Sequence, residues 1–377
     1  MTYKTLAPLL LSAALLTPST HADSIDSKSM DEYVVGEMAA RRIPGLALAV
    51  IDHGKVVKEK AYGYASLELK TPATPGNVYS IASLTKVFTA AAVMKLVDRG
   101  ALTLDEPVTK KLTNLPASWN NVTVRHCLDH MSGLPDALDE HEHLRGTDME
   151  GLLRALVELR PEKPGEHSSY NQTGYILLAK LVEKISGQSL EDFVTTEILK
   201  PLGMNDTRYA DSRDLVPGRV TWYSTFVPSE DRKEWRWVAG MPQRSATDLY
   251  VNQSTFPTLM HCCGGLVTTL DDLIRFDRGI DAGKTLSPQA LQATLKPTKL
   301  NDGTPSAYSL GWTVGNSRGW LPGDTSSGLN FMAFGGANSV AYWRFPEAQL
   351  TVIVLTNLQG SDAHTIALKI AYGYLER

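Results

Sequence analysis

Two pairs of apolar segments at opposite ends of the chain constrain its fold more than any other feature. Near the N-terminus, a polar turn separates the apolar run 45–51 from segment 56–65, in which apolar and polar residues alternate. Near the C-terminus, segments 340–345 and 350–356 flank the turn 346–349. Each pair has the pattern of two strands joined by a short turn. The sequence therefore predicts one antiparallel sheet that is built from both ends of the chain.

Helical patterns at the termini and in the middle complete this architecture. Residues 27–42 have the pattern of an amphipathic helix, and residues 361–376 end the chain as another helix. These helices would flank the sheet, and the helical middle of the chain would form a second lobe. The sequence contains neither a Pro/Gly/Ser-rich linker nor an internal repeat. We therefore expect an α+β fold with a single two-lobed domain over residues 23–377.

The first 22 residues are typical of a secretory signal peptide. They carry Lys4, an apolar run over 6–16 and small residues around Ala22, where cleavage would occur. The run is much shorter than the roughly 20 residues that span a bilayer. We therefore expect a protein that is exported to the periplasm and has no transmembrane segment. A retained N-terminal anchor is the alternative.

Composition limits the partners and cofactors that this chain can use. The formal net charge is −4 and no long basic run is present, so we expect no nucleic-acid partner. The run 136–143 contains histidines and carboxylates, but it is typical of an exposed charged loop, and we assign no metal and no cofactor. Cys127 could pair with Cys262 or Cys263, or all three could be buried thiols. The sequence leaves both possibilities open.

A serine and a lysine three residues apart, Ser83 and Lys86, stand at the start of a predicted helix. Apolar residues recur at steps of three and four over 84–99, and Gly100 can end the helix in a left-handed conformation. Such a helix is buried on most faces. Ser83 would lie in its first turn and Lys86 about one turn further along the same face, so their side chains can touch.

This pair of side chains can support acyl transfer. A serine hydroxyl needs a neighbouring base when it attacks, and a neutral lysine can be that base. Burial and the positive end of the helix dipole should both lower the pKa of Lys86. The N–H of Ser83 could stabilise the oxyanion that forms. The alternative, common for an isolated Ser-x-x-Lys, is a serine that caps the helix and a lysine solvated at the surface.

Tyr170 is the candidate partner of this pair from the second lobe. It lies in a turn directly before the helical segment 176–186, so it can be displayed towards the Ser83 helix. A tyrosine near a lysine can act as a general acid or base. Most tyrosines have a purely structural role, and this turn alone does not distinguish the two.

Short motifs spread over residues 45–357 resemble those of the serine β-lactamase and penicillin-recognising superfamily. The motifs are Ser83-Leu84-Thr85-Lys86, 100–107, His130-Met131-Ser132-Gly133-Leu134-Pro135, Pro164-Gly165-Glu166 with Tyr170 and Thr173-Gly174-Tyr175, Pro201-Leu202-Gly203-Met204, Gly264-Gly265-Leu266 with Asp271-Asp272-Leu273, and Leu310-Gly311-Trp312. Each is weak alone, but their shared order argues against a chance match. The resemblance is closest to the class C-like branch, which includes class C β-lactamases, D-alanyl-D-alanine peptidases and related bacterial esterases.

The resemblance implies a fold and a mechanism. The fold would be of the β-lactamase/transpeptidase type, and a small ester or amide substrate would acylate Ser83. Lys86 would lie beside Ser83, and Tyr170 would be the second-motif tyrosine that shuttles protons to and from the serine and the leaving group. These implied roles make Ser83 a nucleophile rather than a helix cap.

The second motif departs from the pattern of the family. The usual motif is Tyr-x-Asn, and this chain has Gln172 at the asparagine position, which keeps the amide but adds one methylene. A rival register would align Ser169 and Asn171 with the Ser-x-Asn form of the motif. The spacing to the flanking motifs favours Tyr170.

The third motif departs further. The best match to its usual Lys-Thr-Gly or His-x-Gly is Phe334-Gly335-Gly336, followed by Ala337. Glycines here would let a substrate lie close to the strand, and the Ala337 N–H could be the second oxyanion donor. Phe334 cannot bind a substrate carboxylate as lysine or histidine does. Its presence therefore favours neutral esters as substrates.

Residues 209–260 match none of these motifs and are rich in aromatic side chains, among them Phe226. Such a segment could wall an apolar acyl pocket. It could equally be a packed cap that does not touch the substrate.

Together, these features predict a serine hydrolase, with carboxylesterase activity on neutral esters preferred. The alternative among enzymes is β-lactamase or D-alanyl-D-alanine carboxypeptidase activity. Outside enzymes, the alternative is a catalytically silent relative that binds cell-wall fragments or a protein partner. The sequence leaves the oligomeric state and the physiological substrate open.

Overall fold

The structure, a computed structural model, describes residues 27–137, 149–156, 161–228, 237–238, 241–252, 258–320, 328–337 and 339–375. The predicted signal peptide over 1–22 lies outside the described residues, and so does the domain boundary at residue 23, so both stay predictions. In the described ranges, no helix is long and apolar enough to cross a bilayer.

Helices form where apolar side chains recur with helical spacing, at both ends of the chain and in its middle. In chain order, the described helices are α1 (Ser27–Arg41), α2 (Thr85–Asp98), α3 (Val124–Leu128), α4 (Met149–Leu156), α5 (Gln172–Ser186), α6 (Leu190–Val194), α7 (Lys200–Leu202), α8 (His261–Gly264), α9 (Leu270–Asp281), α10 (Pro288–Thr294) and α11 (Ala363–Leu375). Tighter 3-10 turns lie at Ala82–Leu84, Val108–Lys110, Ala117–Trp119, Thr258–Met260 and Pro346–Ala348, and a π-helical turn lies at Thr195–Leu199.

Strands from the two ends of the chain meet in one sheet. The described strands are β1 (Gly45–Asp52), β2 (Lys55–Ser66), β3 (Thr71–Pro72), β4 (Tyr79–Ser80), β5 (Arg208–Tyr209), β6 (Tyr223–Ser224), β7 (Trp237–Val238), β8 (Met241–Pro242), β9 (Tyr250–Val251), β10 (Leu266–Thr268), β11 (Tyr308–Ser309), β12 (Trp312–Asn316), β13 (Asn330–Gly336), β14 (Val340–Phe345), β15 (Leu350–Thr356) and β16 (Leu358–Gln359). Among them, the order β11-β12-β13-β14-β15-β1-β2-β3 forms a sheet whose pairings are antiparallel. Because β1 pairs with β15, the predicted sheet from both chain ends is confirmed.

The large sheet separates two hydrophobic cores. Helices α1 and α11 cover one face, and α2, α5 and α9 contribute to the core on the other face. Strand β15 is buried along its whole length, and its neighbouring residues Val352 and Ile353 face the two different cores. A sheet covered by helices, with a helical second lobe, is the α+β fold that the sequence predicts.

Helix α2 occupies the centre of this arrangement and positions the candidate site. It packs against α5 and α8, and eleven of its side chains are buried. The turn Ala82–Leu84, directly before α2, contacts strand β13 of the large sheet. Ser83 is therefore held at the junction of the sheet and the helical lobe.

Candidate active site

Ser83 stands in a tight turn at the entrance of α2. The turn Ala82–Leu84 is a 3-10 helix and α2 begins at Thr85, so Ser83 precedes the α-helix instead of lying in its first turn. Ala82 has a φ of 42°, in the left-handed region that residues with a β-carbon seldom adopt. Ser83 is partly exposed and lines a cleft of about 480 Å³. This turn therefore presents the serine hydroxyl to an open space.

The end of strand β13 borders the same cleft, which Gly335, Gly336 and Ala337 line. A β-carbon on Gly336 would lie 2.1 Å from the carbonyl oxygen of Ile81, which is far closer than any real contact. Glycine at this position therefore lets the strand approach the serine turn. The predicted third-motif segment thus lies beside Ser83, and Ala337 follows it with a φ of 48°.

Lys86 lies behind the cleft in the protein interior, where none of its surface is exposed. Its Nζ donates a hydrogen bond to the carbonyl oxygen of Cys263 at 3.1 Å. Its Nζ also lies 4.8 Å from the centroid of the Tyr170 ring and 5.6 Å from that of Tyr175. The lysine is therefore held by the helical lobe, next to the second motif.

The electrostatic state of Lys86 differs from the sequence-based expectation. Burial is the largest influence on its pKa and lowers it, but the nearby Cys263 and Tyr170 side chains favour the ammonium and leave the pKa above its ordinary value. The expected lowering of the Lys86 pKa is therefore wrong. A raised pKa favours the ammonium form of Lys86 in the free protein over the neutral base.

Tyr170 lines the same cleft as Ser83, and 37% of its surface is exposed. The next residue, Asn171, caps helix α5, because its side-chain oxygen accepts the N–H of Gly174 at 2.8 Å. The Asn171 amide donates to the carbonyl oxygen of Leu134 at 2.8 Å. Both polar ends of the Asn171 side chain are thus engaged within the fold, whereas Tyr170 borders the cleft.

The other two proposed substrate-binding side chains do not line this cleft. Gln172 is the first residue of α5 and is 4% exposed, and its N–H donates to a carboxylate oxygen of Asp136 at 3.0 Å. Phe334 is also 4% exposed and belongs to the hydrophobic core that contains Tyr342. Both side chains are thus nearly buried and are not among the residues that line this cleft, and their contact with a substrate stays a prediction.

Arg244 is a cleft residue that the sequence did not reveal. Its guanidinium lies 4.6 Å from the centroid of the Phe226 ring, which also lines the cleft, and donates to the Thr225 hydroxyl at 3.4 Å. No carboxylate of the described residues pairs with it. The cleft therefore contains a positive charge on the side chain of an exposed residue, supplied by the aromatic segment 209–260 and not by the third motif.

His364, at the start of α11, also lines the cleft and was not predicted. A β-carbon on Gly335 would lie 2.0 Å from its Nε2, so the imidazole covers the third-motif strand closely. Its Nδ1 accepts the indole N–H of Trp343 at 3.0 Å, and burial lowers its pKa. His364 is therefore neutral and carries its proton on Nε2, where it can donate to a ligand.

The three cysteines are free and buried, so no bridge joins Cys127 to either of the others. The sulfur atoms of Cys262 and Cys263 lie 3.3 Å apart behind Lys86. In the described residues, no group of three or more His, Cys, Asp or Glu side chains is placed to hold a metal ion. Most of the charged run 136–143 lies outside the described part of the chain.

Known proteins place this arrangement in a family. Residues 30–373 match the family described as Beta-lactamase. The chain belongs to the Beta-lactamase family. It is 31% identical over 290 residues to penicillin-binding protein 4* of Bacillus subtilis (strain 168), an alignment that covers 72% of this chain and 60% of the relative. This Beta-lactamase family chain thus spans less than two thirds of that relative's length.

Solved structures agree with the β-lactamase/transpeptidase-like fold. The octameric penicillin-binding protein homologue from Pyrococcus abyssi superposes with a TM-score of 0.72 and 27% identity, over 93% of this chain and 78% of that one. The D-amino acid amidase from Ochrobactrum anthropi SV3 also gives a TM-score of 0.72, at 21% identity, over 93% of this chain and 99% of that one. Members of the Beta-lactamase family are serine hydrolases.

Proposed function

We propose that this Beta-lactamase family member is a serine carboxylesterase that acts through an acyl-enzyme on Ser83. The observation that supports this most is that Ser83 and Tyr170 border one cleft, with the Lys86 ammonium directly behind the tyrosine ring. A nucleophile needs a group within reach that takes its proton as it attacks. Tyr170 is the candidate for that group, because it lines the cleft with Ser83 and the raised pKa of Lys86 favours its protonated form.

The proposed reaction has two proton-transfer steps through Tyr170. The Ser83 Oγ bonds to the carbonyl carbon of the ester, and the Tyr170 hydroxyl passes the serine proton to the leaving oxygen as the carbon–oxygen bond breaks. Water then attacks the acyl-enzyme, and Tyr170 returns a proton from that water to Ser83. The Lys86 charge stabilises negative charge that develops on the Tyr170 oxygen during both transfers.

The negative charge on the carbonyl oxygen also needs partners during each attack. We assign this role to the backbone N–H groups of Ser83 and Ala337, which border the cleft from the turn before α2 and from the end of β13. Two convergent N–H donors form the usual oxyanion site in acyl transfer. Gly336 supports this assignment, since its missing β-carbon permits the strand and the turn to approach each other.

The preference for esters rests on the third motif. Phe334 is part of the hydrophobic core, and the histidine that covers this strand, His364, is neutral. The strand itself therefore provides no positive charge for a substrate carboxylate. Phe226 and Tyr308, which also line the cleft, supply aromatic surface for an apolar acyl or alcohol group.

Arg244 favours a second candidate function, hydrolysis of substrates that carry a carboxylate. Its guanidinium lines the cleft and pairs with no carboxylate of the described residues. Arginine suits bidentate binding of carboxylates. β-Lactams and D-alanyl peptides are amides with such a group, and the name of the Bacillus relative points to the first class. A cation on the opposite side of the cleft could replace the missing third-motif lysine.

The deciding experiment compares wild type and Ser83→Ala on p-nitrophenyl butyrate and on a chromogenic cephalosporin. Ester turnover that is lost in Ser83→Ala, without cephalosporin turnover, would support the esterase. Cephalosporin turnover that depends on Ser83 would favour the second candidate. If neither substrate is turned over and mass spectrometry finds no adduct on Ser83 after treatment with an activated ester, the protein is a silent relative.

We also propose that the chain is exported, on the strength of the sequence pattern over 1–22 alone. Expression of the full chain in a Gram-negative host, followed by fractionation, tests this proposal. A periplasmic product whose N-terminus begins near Asp23 would support it. A cytoplasmic product that retains residues 1–22 would contradict it.

A further inference from the structure

His130 contacts the chain on both sides of Tyr170. Its carbonyl oxygen accepts the N–H of Ser169 at 2.8 Å. Its Nδ1 accepts the N–H of Asn171 at 3.0 Å. One residue therefore holds the peptide groups immediately before and after the tyrosine, which restricts the backbone from which the Tyr170 side chain projects.

The imidazole of His130 also forms the surface against which the tyrosine ring packs. The centroids of the His130 and Tyr170 rings lie 4.5 Å apart at an interplanar angle of 40°. Tyr308 meets the imidazole edge-on at 4.6 Å, and Tyr175 lies 5.0 Å away. Because these neighbours surround the imidazole, which is 1% exposed, it cannot move aside without disturbing Tyr170.

The protonation state of His130 follows from its hydrogen bond. An Nδ1 that accepts an N–H carries no proton, so the single proton of the neutral ring is on Nε2. Burial and the nearby Lys86 ammonium both hold the pKa of His130 well below its usual range. Its Nε2 is buried and has no hydrogen-bond partner among the described residues. The ring therefore acts on Tyr170 through Nδ1 and through its face.

The backbone of His130 explains how a single residue makes both contacts. It follows helix α3 with a φ of 53°, in the left-handed region that histidine adopts more readily than most residues. This conformation turns the chain so that the His130 carbonyl group and imidazole both face residues 169–171. The segment after α3 and the loop before α5 are thus joined at the tyrosine.

We propose that His130 is a positioning residue that fixes the Tyr170 hydroxyl for proton transfer with Ser83. The proposal rests on the function argued above, because it requires Tyr170 to exchange that proton. A misplacement of about 1 Å in a catalytic group can lower a rate by about a hundredfold. Among the described residues, the hydrogen bonds and ring contacts of His130 lead to the chain around Tyr170 and to neighbouring tyrosines, so its effect would be transmitted through the tyrosine.

Two substitutions separate the contacts of His130. His130→Asn retains an acceptor near the position of Nδ1 and removes the ring, whereas His130→Phe retains a ring and removes the acceptor. We expect kcat for p-nitrophenyl butyrate to fall at least about tenfold in His130→Phe, with KM within about twofold, and to fall less in His130→Asn. Activities are normalised to the Ser83 sites that an activated ester acylates, so that misfolded protein does not count.

Each substitution is also combined with Tyr170→Phe in a double-mutant cycle. If His130 acts through the tyrosine hydroxyl, neither His130 substitution changes kcat further in the Tyr170→Phe background. Equal losses in both backgrounds, or a lower melting temperature with unchanged kcat in the wild-type background, would overturn the proposal. His130→Asn supplies the same cycle if His130→Phe does not fold.

The outcomes also distinguish this inference from the proposed function. Wild-type ester turnover with unaffected His130 variants would refute the positioning role and leave the esterase intact. A wild type that neither turns over the ester nor acquires an adduct on Ser83 would refute both.

Discussion

The Nζ of Lys86 lies 4.8 Å from the centroid of the Tyr170 ring, so the first and second motifs of this Beta-lactamase family chain meet inside the protein. Lys86 is fully buried and is held by the carbonyl oxygen of Cys263. Its pKa lies above the ordinary value despite burial. The lysine is therefore a fixed positive charge behind the tyrosine, and its expected contribution is electrostatic.

Removing that charge should abolish most of the activity. In Lys86→Met, which keeps a long apolar side chain in a buried site, we expect kcat/KM for a p-nitrophenyl ester to fall by about 10²–10⁴-fold. The measurement is steady-state hydrolysis, with Ser83 acylation followed by mass spectrometry. Lys95→Met on the same helix is the control and should retain activity. Equal activity of wild type and Lys86→Met would show that the charge is dispensable.

The Tyr170 hydroxyl should matter more than any other phenol in the cleft. In Tyr170→Phe, the ring and its packing remain but the proposed proton carrier is lost, so kcat should fall by about 10²–10⁴-fold. Tyr308→Phe is the matched control, because Tyr308 lines the same cleft and contacts His130 as well. Stopped-flow measurement of acylation separates the steps. A larger loss of kcat in Tyr308→Phe would assign the proton transfer to Tyr308 instead.

The sequence predicted the framework well because its signals are local. The sequence predicts strands over 340–345 and 350–356 with the bounds that the structure has, since two apolar runs on either side of a turn are visible within one short stretch. The helix predicted over 84–99 and the left-handed Gly100, with a φ of 69°, follow from similarly short patterns, whereas the 3-10 turn that holds Ser83 ahead of α2 does not. The ordered short motifs also indicate the family correctly.

The sequence failed where residues distant in the chain determine the result. The pKa of Lys86 depends on Cys263 and Tyr170, which no pattern around residue 86 reveals. Arg244 reaches the cleft from a segment that resembles no motif, and His364 reaches it from the last helix. Only the folded chain brings these charges and donors to Ser83, so the preference for neutral esters that Phe334 indicates takes no account of them.

A β-carbon at position 336 should lower activity more than it lowers the stability of the fold. In Gly336→Ala, the new atom would lie 2.1 Å from the Ile81 carbonyl oxygen and 2.9 Å from the Ala82 β-carbon, so the strand or the Ser83 turn must move. We expect a loss of about a hundredfold in kcat/KM. Ester hydrolysis and thermal unfolding are measured together.

The control for Gly336 is Gly36→Ala on helix α1, where no described atom beyond the backbone of that helix and the adjacent residues lies within 4 Å of the new β-carbon. Alanine in a helix is more stable than glycine by about 0.5–1 kcal/mol. We therefore expect a slightly raised melting temperature and full activity. Full activity in Gly336→Ala as well would mean that the close approach of strand and turn is not required.

Asp129 should make the folded protein less stable as the pH rises. Its carboxyl is fully buried, and burial raises its pKa to about 7 although Thr298 and the Leu310 N–H donate hydrogen bonds to it. An unfolded aspartate ionises near 3.8, so between about pH 4 and 7 only the folded state keeps the proton. The Asp129 contribution to stability should then decline by on the order of 1 kcal/mol per pH unit.

Asp129→Asn tests this sign, because asparagine keeps the shape and cannot ionise. The difference in unfolding free energy between wild type and Asp129→Asn, measured with urea from pH 4 to 8, removes the contributions of other groups. Asp129→Asn should become more stable relative to wild type as the pH rises to about 7. Asp302→Asn, at an exposed carboxyl whose pKa the Thr304 hydrogen bonds lower, should give a flat difference above about pH 5. Parallel profiles for wild type and Asp129→Asn would mean that Asp129 is ionised in the fold.

Arg244 should select between the two candidate substrate classes. In Arg244→Gln, the guanidinium that lines the cleft is lost while the Ser83 turn is untouched. We expect kcat/KM for p-nitrophenyl butyrate to stay within about twofold of the wild-type value. For the p-nitrophenyl monoester of glutaric acid, which carries a carboxylate, kcat/KM should fall about 10–100-fold, because one charge-assisted hydrogen bond is lost. Arg208→Gln, which lies outside the cleft, should leave kcat/KM unchanged for both esters. If Arg244→Gln lowers kcat/KM equally for both esters, the arginine supports the cleft wall and does not bind the substrate carboxylate.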